Sequence, residues 1–211
     1  MPGFGEDGAG SLFLPSLGNL NGTTEYGFSV VWEGALRDCQ ARKSSANIYR
    51  VNFREKLISW EALAAWRAEV RNRGQRLVVT NGCFDILHLG HVTYLETARN
   101  LGDLLLIGVS GDGSVQQLKG PNRPVNNEHD RSAILAALES VSGVCIFAEK
   151  TASRFLSIAK PDIYVKGGDY TLETLNQEER RIVEEAGGKI SLIPFVPGKS
   201  TTALLEKISR L

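Results

Sequence analysis

The chain has 211 residues, of which 42% are hydrophobic and 23% are charged. This composition is typical of a folded globular protein and excludes a chain that is disordered throughout. Lys and Arg together number 24, as do Asp and Glu, so the formal net charge is zero. A general basic excess for binding nucleic acid or an anionic membrane is therefore excluded, and any phosphate site must depend on a local cluster.

The three cysteines, Cys39, Cys83 and Cys145, are too few and too widely spaced for a disulfide framework or a zinc site. No apolar run reaches the roughly 18 residues that a membrane-spanning helix needs. The start of the chain is acidic, whereas a secretion signal begins with basic residues. We therefore expect a cytoplasmic protein in a reducing compartment.

The first 50 residues differ in composition from the rest of the chain. They contain eight of the 22 glycines and show no sustained periodicity. Such a segment does not bury enough apolar surface to offset the cost of ordering it. We predict a Gly-rich, poorly ordered extension over residues 1–55 and one domain over residues 56–211. A wrongly assigned start of the chain would explain the same composition.

Helical and strand patterns alternate along the predicted domain. Leu63, Trp66 and Val70 recur at helical spacing between a candidate N-cap, Ser59, and a candidate stop, Gly74. The strands are short apolar runs, as expected of a buried sheet. After the first helix, the predicted elements in chain order are strand 77–80, helix 90–100, strand 104–109, helix 128–139, strand 144–147, helix 151–159, strand 162–165, helix 176–186, strand 189–193 and helix 201–209.

This alternation predicts the fold class. Strands that alternate with helices form βαβ units, so we expect an α/β protein with a doubly wound, five-stranded parallel sheet and helices on both faces. Ligands of such sheets bind beyond the carboxyl ends of the strands. The loops that follow each strand are therefore the candidate functional segments.

The loop after the first strand carries two histidines at the start of a helix. His88 and His91 are three residues apart, so they share one helix face, and Gly90 lies between them. The first turn of a helix also offers free backbone N–H groups and the positive end of the dipole. This pattern favours a site for an oligophosphate. A capping turn with half-exposed histidines remains open, as does a metal pair with His129 as the third imidazole.

The last loop is rich in hydroxyl groups. Ser200, Thr201 and Thr202 precede or begin the final helix, where hydroxyls and free amides bind anions. The string Gly-Lys-Ser is not a P-loop, because Ile193 occupies the place of that motif's first glycine. The other interpretation is that Ser200 only caps the helix.

Two further loops supply candidate ligands. Lys119, Arg123 and Arg131 follow the second strand and could bind the phosphate of an acceptor, or could be surface charges. After the fourth strand, Gly167 and Gly168 would let the backbone lie against a flat base.

Asp169 follows these glycines and could accept a hydrogen bond from a ribose hydroxyl. A tight turn would explain the same three residues. Cys83, in the first loop, is expected to pack or contact a ligand through its backbone rather than act as a nucleophile.

The string from Asn81 to Asp85, followed by His88-Leu89-Gly90-His91, resembles the nucleotidyltransferase superfamily that carries the His-x-Gly-His motif. The resemblance implies a Rossmann-like fold, contact of His88 and His91 with the phosphates, Lys119 at the reacting centre, and Mg²⁺ carried by the nucleotide rather than by protein ligands. It also implies a homodimer. The nucleotide-binding residues implied in this way are Asn81, Gly82, Cys83, Phe84, Gly90, Gly167, Gly168, Asp169, Ser200, Thr201 and Thr202.

The four loops together narrow the resemblance. Strings 80–85, 119–126, 166–170 and 197–202 are similar to the family of heptose 1-phosphate adenylyltransferases over residues 56–211. That family converts ATP and D-glycero-β-D-manno-heptose 1-phosphate to ADP-heptose and pyrophosphate for lipopolysaccharide core assembly. In many bacteria its domain is fused behind a sugar kinase. Residues 1–50 are too few for such a kinase, so we expect a stand-alone transferase.

Three other functions compete with this interpretation. The first is an enzyme of the same superfamily with another phosphorylated acceptor, such as a glycerol 3-phosphate cytidylyltransferase. Several of those relatives have arginine where this chain has Phe195. The second is a nucleotide-binding regulator without turnover. A dehydrogenase is disfavoured, because Gly108, Gly111 and Gly113 lack the dinucleotide-binding spacing.

Overall fold

The computed structural model describes residues 52–168, 170–194 and 201–210. They belong to a compact unit that runs from Val51 to Leu211. Most of the predicted extension, and the predicted site residues Asp169 and Ser200, lie outside the described residues. Within the described part of the chain, no helix is long and apolar enough to cross a membrane.

The described strands and helices follow the predicted order, with one additional helix after β2. In chain order they are a short 3-10 helix (Phe53–Lys56), α1 (Leu63–Asn72), β1 (Leu77–Gly82), α2 (Leu89–Arg99), β2 (Leu104–Ser110), α3 (Asp112–Lys119), α4 (Glu128–Ala136), β3 (Gly143–Phe147), α5 (Ser153–Ala159), β4 (Ile163–Gly167), α6 (Gln177–Glu185), β5 (Lys189–Ile193) and α7 (Thr201–Ile208).

The five strands form one parallel sheet in the order β3-β2-β1-β4-β5. Strand β1 lies in the middle, in register with β2 from the pair Leu77 and Leu104 to the pair Gly82 and Val109. The strand order reverses between β1 and β4, and a crevice for a ligand is expected at the carboxyl ends there. The predicted doubly wound, five-stranded α/β fold is confirmed.

Helices cover both faces of the sheet. Because side chains alternate along a strand, Tyr164 points to one face and Val165 to the other. Tyr164 packs in a cluster with Val79 and Leu106 against α1, α5 and α6. Val165 packs in a second cluster with residues of α2 and α4, among them Leu95. The sheet is therefore a buried central layer, and its carboxyl edge is reached from both faces.

Helix α3 is a difference from the sequence prediction, which leaves residues 112–119 without an element. Gly111 and Gly113 give this segment a loop-like composition, but Val115 is buried. The first free N–H of the helix, at Asp112, donates to the Glu128 carboxylate at 2.7 Å. Glu128 lies on another helix, and no local pattern shows such a partner. Lys119 is consequently the last residue of a helix and not part of a loop.

The domain also begins earlier than residue 56. The helix Phe53–Lys56 precedes an isolated bridge between Leu57 and Val144. The N–H of Ile58 donates to the Val144 carbonyl at 2.8 Å. Phe53, which the prediction places in the extension, packs against the buried cluster that contains Leu135 and Val144.

Two glycines provide a test of the packing. A methyl group at Gly108, in β2, would lie 2.6 Å from Cε1 of Phe155, whereas one at Gly113 would meet nothing within 4 Å. We expect Gly108→Ala to lower the free energy of unfolding by about 1–3 kcal/mol, because the buried ring must shift. Gly113→Ala should raise it by up to about 1 kcal/mol through helix propensity. Urea denaturation measures both, and equal stabilities would contradict the described packing.

Candidate active site

A cleft lies at the carboxyl ends of β1 and β4. It consists of two adjoining cavities of about 270 and 390 Å³. We call the smaller one the histidine lobe, after His88 and His91, and the larger one the glutamate lobe, after Glu179. Six residues line both lobes: Asn81, Gly82, Cys83, Lys119, Lys166 and Tyr170. The cleft therefore crosses the edge of the sheet and joins its two faces.

The two histidines stack on each other at the start of α2. Their ring centroids are 3.9 Å apart with an interplanar angle of 25°. The rings of Phe84 and His91 pack edge to face, with their centroids 5.5 Å apart. Phe84 itself has a φ of 48°, a left-handed conformation that is unusual for a large side chain. Gly90, in the first turn of α2, lines the same lobe.

His91 is a neutral imidazole at pH 7. Burial, and then the charges of His88 and Lys119, lower its pKa from 6.5 to about 4. Its Nδ1 atom is buried and has no hydrogen-bond partner among the described residues. A buried polar atom without a partner is costly, and a bound ligand can remove that cost.

The start of α7 lies against the histidine turn. The Thr201 hydroxyl donates to the carbonyl of Ile86 at 3.2 Å, although the two residues are 115 positions apart. The structure therefore brings Thr201 next to the loop that carries His88. Ser200 lies outside the described residues, as does the side chain of Thr202.

Gly167 packs against Tyr94 in the wall of the histidine lobe. A methyl group at this position would lie 2.7 Å from Cε2 of the tyrosine ring. The Tyr94 hydroxyl is fixed by the Val165 carbonyl at 3.1 Å and by Thr80 Oγ1 at 2.6 Å. The next residue, Gly168, has a φ of 127°, which side chains rarely adopt. Packing against Tyr94 thus requires glycine at 167, and the backbone conformation favours it at 168, whatever ligand the lobe holds.

Asp85 fixes the loop that follows β1. Its carboxylate is buried and accepts from the Arg123 Nε at 2.6 Å and from the Val125 N–H at 2.8 Å. It also accepts from the Asn126 N–H at 3.1 Å. Arg123, expected at an acceptor phosphate, is instead held in an ion pair that joins two loops.

Arg131 is almost completely buried, with an exposed fraction of 1%. Its guanidinium donates to the carbonyls of Cys83, Ser110 and Asn126 and to the Asp112 carboxylate. These bonds use most of its five N–H groups. The described walls of the cleft include neither Arg131 nor Arg123. Both differ from the expectation of a phosphate ligand, because the protein itself supplies their anionic and carbonyl partners.

A lysine that the sequence analysis did not single out lies in the cleft instead. Lys166 is the fourth residue of β4, and 14% of its side chain is exposed. Its Nζ lies 3.4 Å from Glu179 Oε2. The ammonium also lies 5.3 Å from the ring centre of Tyr164 and 5.9 Å from that of Tyr170. The sequence feature that could have identified Lys166 as a site residue is its position at the carboxyl end of a predicted strand.

Glu179 organises a buried polar network beneath the glutamate lobe. It accepts from the Ala152 N–H at 2.9 Å and from the Tyr164 hydroxyl at 2.7 Å. The same hydroxyl lies 2.6 Å from Asn81 Oδ1. Burial and the Glu179 charge raise the pKa of Tyr164. The predicted nucleotide-binding residue Asn81 is therefore linked through a phenol to a carboxylate on α6.

Two observations bear on whether the cleft could use a cysteine nucleophile or a protein-bound metal ion. Burial raises the pKa of Cys83 above its usual value, so the thiol is protonated and a poor nucleophile. No group of three or more His, Cys, Asp or Glu side chains suited to a metal ion occurs among the described residues.

Comparison with known proteins defines the class. A family model described as cytidylyltransferase-like matches residues 79–206. The chain belongs to this cytidylyltransferase-like family, which confirms the class of nucleotidyltransferase enzyme predicted from the motifs.

Curated relatives match the same part of the chain. The bifunctional protein HldE of Trichlorobacter lovleyi is 48% identical over 153 residues, which are 72% of this chain and 31% of the relative. HldE of Geotalea uraniireducens is 50% identical over 153 residues, again 72% of this chain and 31% of the relative. The chain thus spans about a third of the length of these relatives. A crystal structure of a lipopolysaccharide core biosynthesis protein from Thermoplasma volcanium is 29% identical, covers 58% of this chain and 98% of its own, and has a TM-score of 0.48.

The burial of Arg131 leads to a stability prediction. Arg131→Met would leave three carbonyls and the Asp112 carboxylate without their donor, so we expect a loss of about 3 kcal/mol in the free energy of unfolding. Arg73→Met, which removes an exposed pair with Glu69, should cost less than about 1 kcal/mol. Urea denaturation of both variants tests this. Equal stabilities would show that the guanidinium is not a structural centre.

The lowered pKa of His91 leads to a pH prediction. The unfolded chain binds a proton at this residue near 6.5 and the folded protein only near 4, so stability must fall as the pH falls through this interval. Partial exposure limits the effect to the order of 1–2 kcal/mol. We expect His91→Gln to lose less stability than the wild type between pH 7 and pH 4.5, and His129→Gln, at an exposed site, to behave as the wild type. Parallel pH profiles for all three proteins would contradict the assignment.

Proposed function

We propose that this enzyme transfers AMP from ATP to D-glycero-β-D-manno-heptose 1-phosphate, giving ADP-heptose and pyrophosphate for lipopolysaccharide core biosynthesis. The observation that carries the proposal is the contact of Thr201 with the histidine turn at the switch point of the sheet. The choice of acceptor is supported by the four loop strings and by the HldE relatives. The word bifunctional in their name agrees with a domain that is fused to a kinase in many bacteria.

In this proposal the triphosphate of ATP lies in the histidine lobe. The start of α2 would offer backbone N–H groups near Gly90, and the start of α7, where Thr201 contacts the histidine turn, would offer hydroxyls. The bound phosphates would raise the pKa of His91, because their negative charge opposes the effect of burial. Residues proposed to hold the nucleotide are Asn81, Gly82, Cys83, Phe84, Gly90, Gly167, Gly168, Asp169, Ser200, Thr201 and Thr202.

The reaction needs positioning and charge stabilisation more than a covalent nucleophile. An oxygen of the acceptor phosphate attacks the α-phosphorus of ATP, a new P–O bond forms, and the bond to the leaving pyrophosphate breaks. His88, His91 and Lys119 would face the negative charge that grows during this in-line displacement. The neutral state of His91 limits repulsion between the imidazoles and Lys119 before a nucleotide binds.

Magnesium fits this cleft as a companion of the nucleotide. Glu179, the carboxylate that lines the described walls, is already engaged with Ala152, Tyr164 and Lys166. Mg²⁺ prefers oxygen ligands and retained waters, which the triphosphate supplies. When bound there it would neutralise part of the phosphate charge. A cytoplasmic location, where ATP is available, and a homodimer remain predictions.

Product analysis tests the proposal. The protein is incubated with ATP or CTP and with the α- or β-anomer of heptose 1-phosphate, or glycerol 3-phosphate, and the products are identified by mass. We expect ADP-heptose and pyrophosphate from ATP and the β-anomer. His88→Ala and His91→Ala should lower kcat by at least about 100-fold, because each removes a donor to the developing charge.

His129→Ala, which changes an exposed histidine on α4, is the matched control and should retain full activity. A product formed only from CTP and glycerol 3-phosphate would replace the proposed acceptor. Tight ATP binding without pyrophosphate release for any acceptor would indicate a regulatory protein.

A further inference from the structure

Two of the three cations expected at the acceptor phosphate have other partners in the structure. Arg123 is paired with Asp85, and Arg131 donates to three carbonyls and Asp112. Lys119 and Lys166 both line the junction of the two lobes. An acceptor phosphate must lie at this junction, because it has to reach the α-phosphate of a nucleotide held in the histidine lobe.

Lys166 is positioned for this role by the strand and by Glu179. It follows Tyr164 by two residues, so both side chains project to the same face of the sheet. The Glu179 carboxylate is fixed by the Ala152 N–H and the Tyr164 hydroxyl. An ammonium group has three N–H donors, and a single ion pair at 3.4 Å leaves donors for a ligand. An ion pair that only stabilised the fold would not need to be accessible from both lobes, whereas Lys166 lines each of them.

The glutamate lobe has the size and walls expected for a sugar. Its volume is about 390 Å³, within the usual range for small-molecule sites. Thr151 and Asn176 contribute polar groups that can bind hydroxyls, and Val115 and Leu118 contribute apolar surface. The Oδ1 atom of Asn176 caps α6 by accepting from the N–H groups of Glu178 and Glu179, which leaves its amide nitrogen to contact a ligand.

We propose that the glutamate lobe binds the sugar of the acceptor and that Lys166, positioned by Glu179, binds the acceptor's phosphate at the junction of the lobes. The inference rests on the proposed function in one respect, namely that the acceptor is a phosphorylated sugar. It assigns to Lys166 the contact that the sequence suggested for Arg123 and Arg131.

Steady-state kinetics and nucleotide binding test the inference on the full chain. Lys166→Met keeps the length of the side chain but removes the charge. We expect kcat/KM for heptose 1-phosphate to fall about 10- to 100-fold, the value of a lost charge-assisted hydrogen bond. The Kd of α,β-methylene-ATP should change less than about threefold. Lys166→Arg should restore part of the acceptor affinity.

Lys189→Met is the matched control, because Lys189 is exposed at the opposite end of the neighbouring strand β5. It should leave both quantities unchanged. A Lys166→Met enzyme with normal acceptor kinetics overturns the inference. Equal loss of affinity for acceptor and nucleotide also overturns it, because the lysine would then serve the triphosphate or the fold.

Glu179→Gln tests the positioning role. Glutamine can still accept from the Ala152 N–H through its oxygen, and its amide nitrogen can donate to the Tyr164 hydroxyl, which keeps Asn81 Oδ1 as its acceptor. Glu179 raises the pKa of Lys166, which burial lowers, and the variant should lose the lysine charge at a lower pH. We therefore expect the acceptor KM to rise at a lower alkaline pH than in the wild type, with the nucleotide Kd unaffected. An unshifted KM profile would show that Glu179 has no such role.

Failure of this inference is distinguishable from failure of the proposed function. If the wild type uses another phosphorylated acceptor, the heptose assignment is wrong, and the same comparison of Lys166→Met with Lys189→Met is made on that acceptor. Loss of affinity for that acceptor alone would support the assignment of Lys166. A wild type that binds no phosphorylated acceptor in the presence of α,β-methylene-ATP overturns both proposals.

Discussion

One buried guanidinium holds together the loops from which the cleft is built. Arg131 reaches the Cys83 carbonyl in the loop after β1, the Ser110 carbonyl at the end of β2, and Asp112 at the start of α3. Asp85 also fixes the loop after β1, and Glu128 accepts from the Asp112 N–H, so Arg131 joins segments that have separate anchors. A buried charge of this kind is tolerated only when its partners are fixed, so the charge and the loop geometry constrain each other.

The positive charges of the cleft are also balanced by neighbouring groups of the protein. The protein has no net charge, yet Lys119 and Lys166 both line the small junction between the lobes. Two features limit the repulsion among the cationic groups of the cleft: Glu179 lies beside Lys166, and His91 is neutral. A triphosphate would reverse this balance, because its charge favours every protonated group around it. The cleft is thus arranged so that cationic character increases when an anion enters.

The sequence was sufficient for the sheet but not for the partners of its charged residues. Five short apolar runs predict five strands, because buried parallel strands leave little ambiguity in their composition. Helix α3 was missed, since its first N–H is capped by Glu128 from another helix. The roles of Arg123 and Lys166 likewise depend on partners far away in the sequence: Arg123 pairs with Asp85, and Lys166 pairs with Glu179. Sequence spacing identifies which loops meet at an edge, but not which charges neutralise each other there.

The end of β4 shows why one strand can serve both lobes. Tyr164 and Lys166 project toward α6 and the glutamate lobe, whereas Gly167 packs against Tyr94 of α2 beside the histidine lobe. The alternation of side chains along a strand thus places neighbouring residues on the two sides of the sheet edge. At the switch point the strand order reverses and a crevice forms at this edge, so groups from both faces can approach one bound molecule. An in-line displacement at phosphorus needs the attacking oxygen opposite the leaving group, and a crevice open to both faces would let an acceptor reach the far side of a bound nucleotide.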